Sequence, residues 1–265
     1  MKAAYIGIDL LYPALPALRK AGGEILKIFT CETDNKTEFN TKVCRYARKN
    51  GIPLQTERIR EADLTELRDA GCEMVLCGGY YYKIPIIEGM KMINIHPSLL
   101  PIGRGAWPMP VTILKQLPES GVTIHKMTEE MDAGDILMQE RIPVAARENL
   151  KTLTDKQRAL LPGMVRKLCR DLDRLWAEAR PQGDKPEYWS CPTEKDWTIT
   201  EYLSLEKIDR ILRAFYGYEV ICRTRWVQWN IIGVKLRCEG QKGMVNIPFA
   251  GKVITAEKAK RQLIC

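Results

Sequence analysis

Histidine is scarce in this chain: among 265 residues only His96 and His125 carry an imidazole. The nine cysteines are scattered and show neither C-x-x-C nor any other ligand spacing, so a metal site is unsupported and a disulfide scaffold of the small secreted kind is excluded. Cys72 and Cys77, which flank an apolar run, read instead as reduced core thiols. No G-x-G-x-x-G follows the first apolar run, which removes the main support for a nicotinamide dinucleotide site. No G-x-S-x-G surrounds Ser98, so a serine nucleophile has no elbow to sit on. No apolar run approaches the length of a membrane span, and Met1-Lys2 leads straight into a strand-like segment without a signal-peptide layout. No membrane association and a cytoplasmic location are therefore expected.

With 45% hydrophobic residues the chain can bury a substantial core, and its length allows one large domain or two smaller ones. Both histidines fall in two related segments, Met92 to Pro108 and Gly121 to Leu137. The first begins as a short apolar run and breaks into Pro97, Ser98, Pro101 and Gly103, which places Asn94 and His96 at a strand's end. Ligands bind there in open α/β sheets. A carboxamide, an imidazole and a carboxylate on neighbouring loops (Asn94, His96, Asp132) can together polarise a carbonyl, stabilise its oxyanion and move a proton. Such a site needs neither a metal nor a covalent nucleophile.

At these residues the chain resembles the formyltransferases that use 10-formyltetrahydrofolate, whose pattern is Asn-x-His-Pro/Gly-Ser-Leu-Leu-Pro followed by a Leu/Ala-Asp-x-Gly turn. Asn94, His96, Ser98, Leu99, Leu100, Pro101, Asp132 and Gly134 match it, and Arg104-Gly105-Ala106 with Pro108 match the Arg-Gly-x-x-Pro extension of the tRNA and sugar branches. The resemblance implies a Rossmann-like, mostly parallel α/β sheet with helices on both faces, plus a small, mostly-β C-terminal domain like a trimmed open barrel. It implies 10-formyltetrahydrofolate as formyl donor and places Tyr81, Tyr82, Ile84, Glu130 and Met131 along the folate. Arg104 is expected to hold a phosphate or sugar of the acceptor, with a structural ion pair as the alternative. Ser98 is set beside the acceptor as well, although its surroundings suit the shaping of a turn. His125 ranks second, because a strand histidine is more often a satisfied core residue than a catalyst.

In chain order, a β-α unit opens the sequence, a second strand spans Glu24 to Thr30, a basic helix spans Phe39 to Lys49, and Gly51 to Leu54 reads as a third strand. Two glycines and three tyrosines follow the strand ending at Cys77 and offer close backbone approach and flat apolar faces. Apolar steps of four and three predict one long amphipathic helix from Asp155 to Ala179, with Pro162-Gly163 marking its true start or a kink. Pro181 to Pro186 breaks the pattern. The expected division is a catalytic domain over 1–180, a linker over 181–200 and a small basic domain over 201–265, with one strand predicted across Trp226 to Leu236. That last segment holds twelve Lys/Arg against six Asp/Glu, so it supplies +6 of the net +8. Such a tail suits an anionic partner or a merely solvated face.

The expected reaction is attack by a primary amine on the formyl carbon, with the Asn94 amide and a protonated His96 as oxyanion donors. An adjacent Asp132 favours that protonated form, and its own part, as base or as tuner of His96, stays open. A nucleotide-linked amino sugar is the first-choice acceptor, because the stretch after the second strand is similar to the UDP-aminoarabinose formyltransferase domain and lacks the longer insertion of the tRNA branch. Initiator methionyl-tRNA is the alternative acceptor, a formyltetrahydrofolate hydrolase a further reading, and a folate-binding scaffold without turnover the last. Assembly as a homodimer is left open.

Overall fold

The structure is a computed structural model and describes residues 1–34, 38–183, 185–233 and 235–263. Residues 35–37 of the family-like stretch, Asp184 of the expected linker, Val234 of the expected long strand and residues 264–265 of the expected basic domain lie outside the described residues.

The chain runs through β1 (Lys2–Gly7), α1 (Ala14–Lys20), β2 (Glu24–Phe29), α2 (Thr41–Lys49), β3 (Leu54–Gln55), α3 (Glu61–Asp69), β4 (Met74–Gly78), β5 (Lys91–His96) and β6 (Ile102–Arg104). It continues with α4 (Pro108–Leu114), β7 (Glu119–Lys126), β8 (Ile136–Pro143), α5 (Leu150–Arg170), α6 (Leu172–Ala177) and β9 (Glu187–Tyr188). Last come β10 (Thr198–Thr200), α7 (Leu205–Ala214), β11 (Val220–Arg223), β12 (Val227–Ile232), β13 (Lys235–Arg237), β14 (Val245–Phe249), β15 (Lys252–Ala256) and β16 (Lys258–Leu263).

Seven strands form one sheet in the order β3-β2-β1-β4-β5-β7-β8. The pairs β1–β2, β1–β4, β2–β3 and β4–β5 are parallel, and β7 joins β5 antiparallel. The winding reverses at β1, which is where the carboxyl ends of strands open a crevice. Pleating sends alternate residues to opposite faces. Met74, Leu76, Ile93 and Ile95 pack with Leu15 and Leu18 of α1, Val43 of α2 and Leu161, Val165 and Leu168 of α5. Val75, Cys77 and Met92 pack on the other face with Leu64 and Leu67 of α3. The expected mostly parallel α/β architecture with helices on both faces is thus present, and the C-terminal region is mostly β, in sheets ordered β10-β11-β12-β16 and β13-β15-β14. Every described cysteine is a free thiol.

Several boundaries differ from expectation for local reasons. The long helix starts at Leu150 rather than Asp155, because the Asn149 side chain accepts the Thr152 amide at 2.9 Å and so caps it. It runs past Pro162 without restarting there, and it ends at Arg170, with a separate α6 carrying Leu172 and Leu175 into the core. The third strand pairs at Leu54–Gln55 rather than from Gly51, because Gly51 and Ile52 still bond back to α2. The expected strand across Trp226 to Leu236 is two, β12 and β13, parted by Gly233 at φ +71°. The strand β16 was not foreseen, since K-A-K-R-Q-L has no apolar alternation.

The chain divides into two compact units, one of Met1–Gly105, Ser120–Ile142 and Lys156–Tyr188, the other of Ala106–Glu119, Pro143–Asp155 and Trp189–Cys265. Among the described residues no helix is long and apolar enough to cross a membrane.

One close approach is readily tested. A Cβ on Gly121 would lie 2.1 Å from the Glu140 carbonyl oxygen, whereas one on Gly163, inside α5, would meet nothing within 4 Å. Gly121→Ala should cost roughly 1–3 kcal/mol, and Gly163→Ala should stabilise by roughly 0.5–1 kcal/mol. Urea unfolding midpoints of the two variants should therefore move in opposite directions.

Candidate active site

Strand pleat and register assemble the site. Asn94 and His96 stand two apart on β5 and so face the same side, and His125 on β7 lies directly across from Asn94. Asp132 arrives from the turn between β7 and β8, with φ of +54°, a left-handed conformation that costs energy for a residue with a side chain.

Four groups converge on the Asp132 carboxylate. The Gly105 amide donates to Oδ2 at 3.0 Å, and the Asn94 Nδ2 donates to Oδ1 at 3.2 Å. His96 Nδ1 lies 3.5 Å and His125 Nε2 3.6 Å from the same Oδ1. The imidazole roles follow from their carbonyl partners, because a carbonyl only accepts. His96 Nε2 stands 2.7 Å from the Gly103 carbonyl oxygen, so it carries the hydrogen, and in the neutral ring Nδ1 is bare. His125 Nδ1 donates to the Lys126 carbonyl at 2.7 Å, which leaves its Nε2 to accept the second Asn94 amide hydrogen at 3.0 Å.

Two expectations change here. Burial is the largest influence on His96 and pushes its pKa below the ordinary value; the Asp132 charge and the Gly103 bond oppose burial without overcoming it. The ring is therefore neutral at pH 7, not an imidazolium. Asn94 also differs, since both amide hydrogens are engaged, one on His125 and one on Asp132, rather than pointing toward an oxyanion. Burial works to raise Asp132, yet the two histidines and the Gly105 amide outweigh it and hold the carboxyl at about 2. The amide donors maintain that anion while His96 is neutral, and the charge contribution of His96 adds to theirs once the ring takes up a proton.

The other expected residues fall around this centre. Ser98 is buried, and its hydroxyl donates to the Ile102 carbonyl at 2.8 Å, holding the turn that presents Gly103. Arg104 is buried; its Nε donates to Gln182 Oε1 at 3.0 Å and a terminal nitrogen to Glu130 Oε1 at 3.2 Å, so two residues assigned to different ligands are paired with each other. Tyr81 and Tyr82 are 50% and 43% exposed and Met131 55%, which leaves apolar faces open to a ligand. Ile84 packs in the core, and Lys83 Nζ donates to Glu129. The Gly105 amide, the Gly103 carbonyl and Gln182 are participants that sequence reasoning missed. The first two are backbone groups with no side-chain signature, and Gln182 lies in a Pro/Gly-rich break. Among the described residues no group of three or more His, Cys, Asp or Glu is placed to hold a metal ion.

A neutral imidazole with one bare nitrogen beside an anchored carboxylate, at the open end of an α/β sheet, is chemically able to take up and return a proton. Residues 27–165 match the family described as formyl transferase. A methionyl-tRNA formyltransferase of Anaplasma marginale (strain St. Maries) is 36% identical over 227 residues, covering 82% of this chain and 74% of that protein. The chain belongs to the formyl transferase family. Its fold is shared by an N-formyltransferase from Helicobacter canadensis solved with folinic acid and dTDP-3-aminofucose, at TM-score 0.67 and 19% identity, over 97% of this chain and 98% of that one. It is shared too by a methionyl-tRNA formyltransferase from Clostridium thermocellum, at TM-score 0.61 and 15% identity, over 100% and 99%.

His96→Ala should lower kcat roughly 10²- to 10⁴-fold in a folded protein, and Asp132→Asn, which tolerates the left-handed turn, should do likewise. For His96 the folded value lies below the unfolded one of about 6.5, so the neutral ring is kept down to below that pH. The acid limb of kcat/KM should accordingly have its midpoint below about 6.5. Stability should also fall with acidification, first as pH drops below the unfolded histidine value and again toward the Asp132 value of about 2.

Proposed function

We propose that this chain transfers the formyl group of 10-formyltetrahydrofolate to a primary amine, and that the amine belongs to a nucleotide-linked amino sugar. The observation that carries the transfer is the bare His96 Nδ1 set 3.5 Å from an ionised Asp132. The half-exposed rings of Tyr81 and Tyr82 and the exposed Met131 fit a flat, partly apolar folate, in the way aromatic side chains bind with one face dry and the rim wet. When bound, the folate supplies a formyl carbon attached to a nitrogen able to leave.

His96 Nδ1 takes the proton that the attacking amine must lose. Asp132 stabilises the imidazolium so formed, at the distance where an opposite charge counts most in a dry site. The Gly103 carbonyl fixes which ring nitrogen works, because it holds the hydrogen of Nε2 throughout. The same Nδ1–H then returns its proton to the departing nitrogen. The proton count closes: the amine loses one, the leaving nitrogen gains one, and His96 ends neutral. Asn94 holds Asp132 and His125 in register. Catalysis is assigned to residues 1–180, and the basic segment 201–265 suits an anionic partner.

A sugar nucleotide is favoured because only residues 30–40 separate β2 from α2, with no room for the longer insertion of the tRNA branch that the resemblance implies. Charged initiator tRNA is the second reading, favoured by the 36% identical relative and the +6 segment. Incubation with 10-formyltetrahydrofolate and either a panel of amino-sugar nucleotides or charged tRNA, followed by mass spectrometry, should show one formyl gained by a sugar nucleotide. Formylation of tRNA alone, with binding that weakens steeply as salt rises, would reverse the choice of acceptor. Formate release without any amine would make the chain a hydrolase.

A further inference from the structure

Gln182 lies far from the signature residues in sequence, yet the residue is only 9% exposed and both polar atoms of its side chain are hydrogen-bonded. Nε2 donates to the Asp132 carbonyl at 2.6 Å and to the Gly134 carbonyl at 2.8 Å. Oε1 accepts from Arg104 Nε at 3.0 Å. The backbone two residues before it is anchored, since Arg180 and Ile136 exchange amide hydrogen bonds of 3.0 and 2.7 Å. We propose that Gln182 is the positioning residue of this site: it clamps the strained Asp132 turn by both neighbouring carbonyls and ties that turn to Arg104.

The physical need is specific. A left-handed φ of +54° at Asp132 is a state from which an unrestrained turn relaxes. Relaxation would swing the carboxylate away from His96 Nδ1, and displacement of a catalytic group by about 1 Å can cost roughly a hundredfold in rate. The Gly105 amide and Asn94 hold the carboxylate itself, but neither holds the main chain that carries it. Only a side chain with two hydrogens on one atom and an acceptor on the other can bridge two carbonyls and a guanidinium, and glutamine supplies that set. Arg104, which also pairs with Glu130, extends the clamp to the second anchor of the same turn.

This inference rests on the reading of His96 and Asp132 as the proton-transfer pair, and two variants test it. Gln182→Ala removes all three bonds. Gln182→Glu keeps the volume and an acceptor for Arg104 but loses both donations to the turn. Both should lower kcat by roughly ten- to a hundredfold with KM changed far less. The second readout does not depend on activity: with only two histidines in the chain, each ring can be titrated by NMR. His96 is faced by Asp132 and His125, and loss of a well-placed Asp132 anion should lower its midpoint by about half a pH unit in both variants. A Gln182→Glu protein with kcat within about twofold of wild type, or an unmoved His96 midpoint in the folded variants, overturns the proposal. Failure of both variants to fold also overturns it, by assigning Gln182 to the fold instead. Should the wild-type chain transfer no formyl group to any amine, the proposed function fails while the histidine titration still decides the role of Gln182.

Discussion

The buried carboxylate of Asp132 is the constraint around which this site is organised. A carboxylate removed from water is costly unless its lone pairs are met. Here the Gly105 amide and the Asn94 carboxamide meet them, while His96 and His125 stand 3.5 and 3.6 Å from the same carboxylate. The groups of the cluster are delivered by different structural devices. Asn94, His96 and His125 come from strand pleat and antiparallel register, Gly105 from the turn after β6, and Asp132 from a left-handed residue beyond β7. The carboxylate stays ionised because these bonds outweigh its burial, and an ionised carboxylate beside a neutral ring gives that ring somewhere favourable to place a proton.

That division of labour separates charge from reactivity. His96 is kept neutral by burial and kept in one tautomer by the Gly103 carbonyl. It can thus accept a proton at the one nitrogen that faces the anion. His125, fixed the opposite way round by the Lys126 carbonyl, presents a lone pair to Asn94 and serves the network rather than the reacting groups. Outside this core the exposed tyrosines and Met131 keep apolar faces in water, a cost that a flat ligand would remove. The chain belongs to the formyl transferase family, and an imidazole able to take up and return a proton is compatible with that chemistry.

The candidate trio of Asn94, His96 and Asp132 was legible in the letters because its chemistry resides in side chains, and the structure brings the three together. So was the sheet, since its strands are short apolar runs bounded by turns. What stayed hidden has physical reasons. Backbone groups of Gly103 and Gly105 have no side-chain signature. Gln182 sits in a stretch that composition reads as a break, and its burial is a tertiary fact. The charge of His96 was misjudged because a carboxylate neighbour is suggested by sequence, whereas the depth of burial is not. At α5 the cap on Asn149 precedes the apolar period, so counting apolar steps began too late.

The account depends on His96 being a neutral ring with its hydrogen on Nε2, and an imidazole ¹⁵N spectrum of the wild-type protein near neutral pH tests this most directly. The account predicts one protonated and one bare nitrogen for His96, the bare one being Nδ1. Two protonated nitrogens on that ring, or a hydrogen residing on Nδ1, would contradict it.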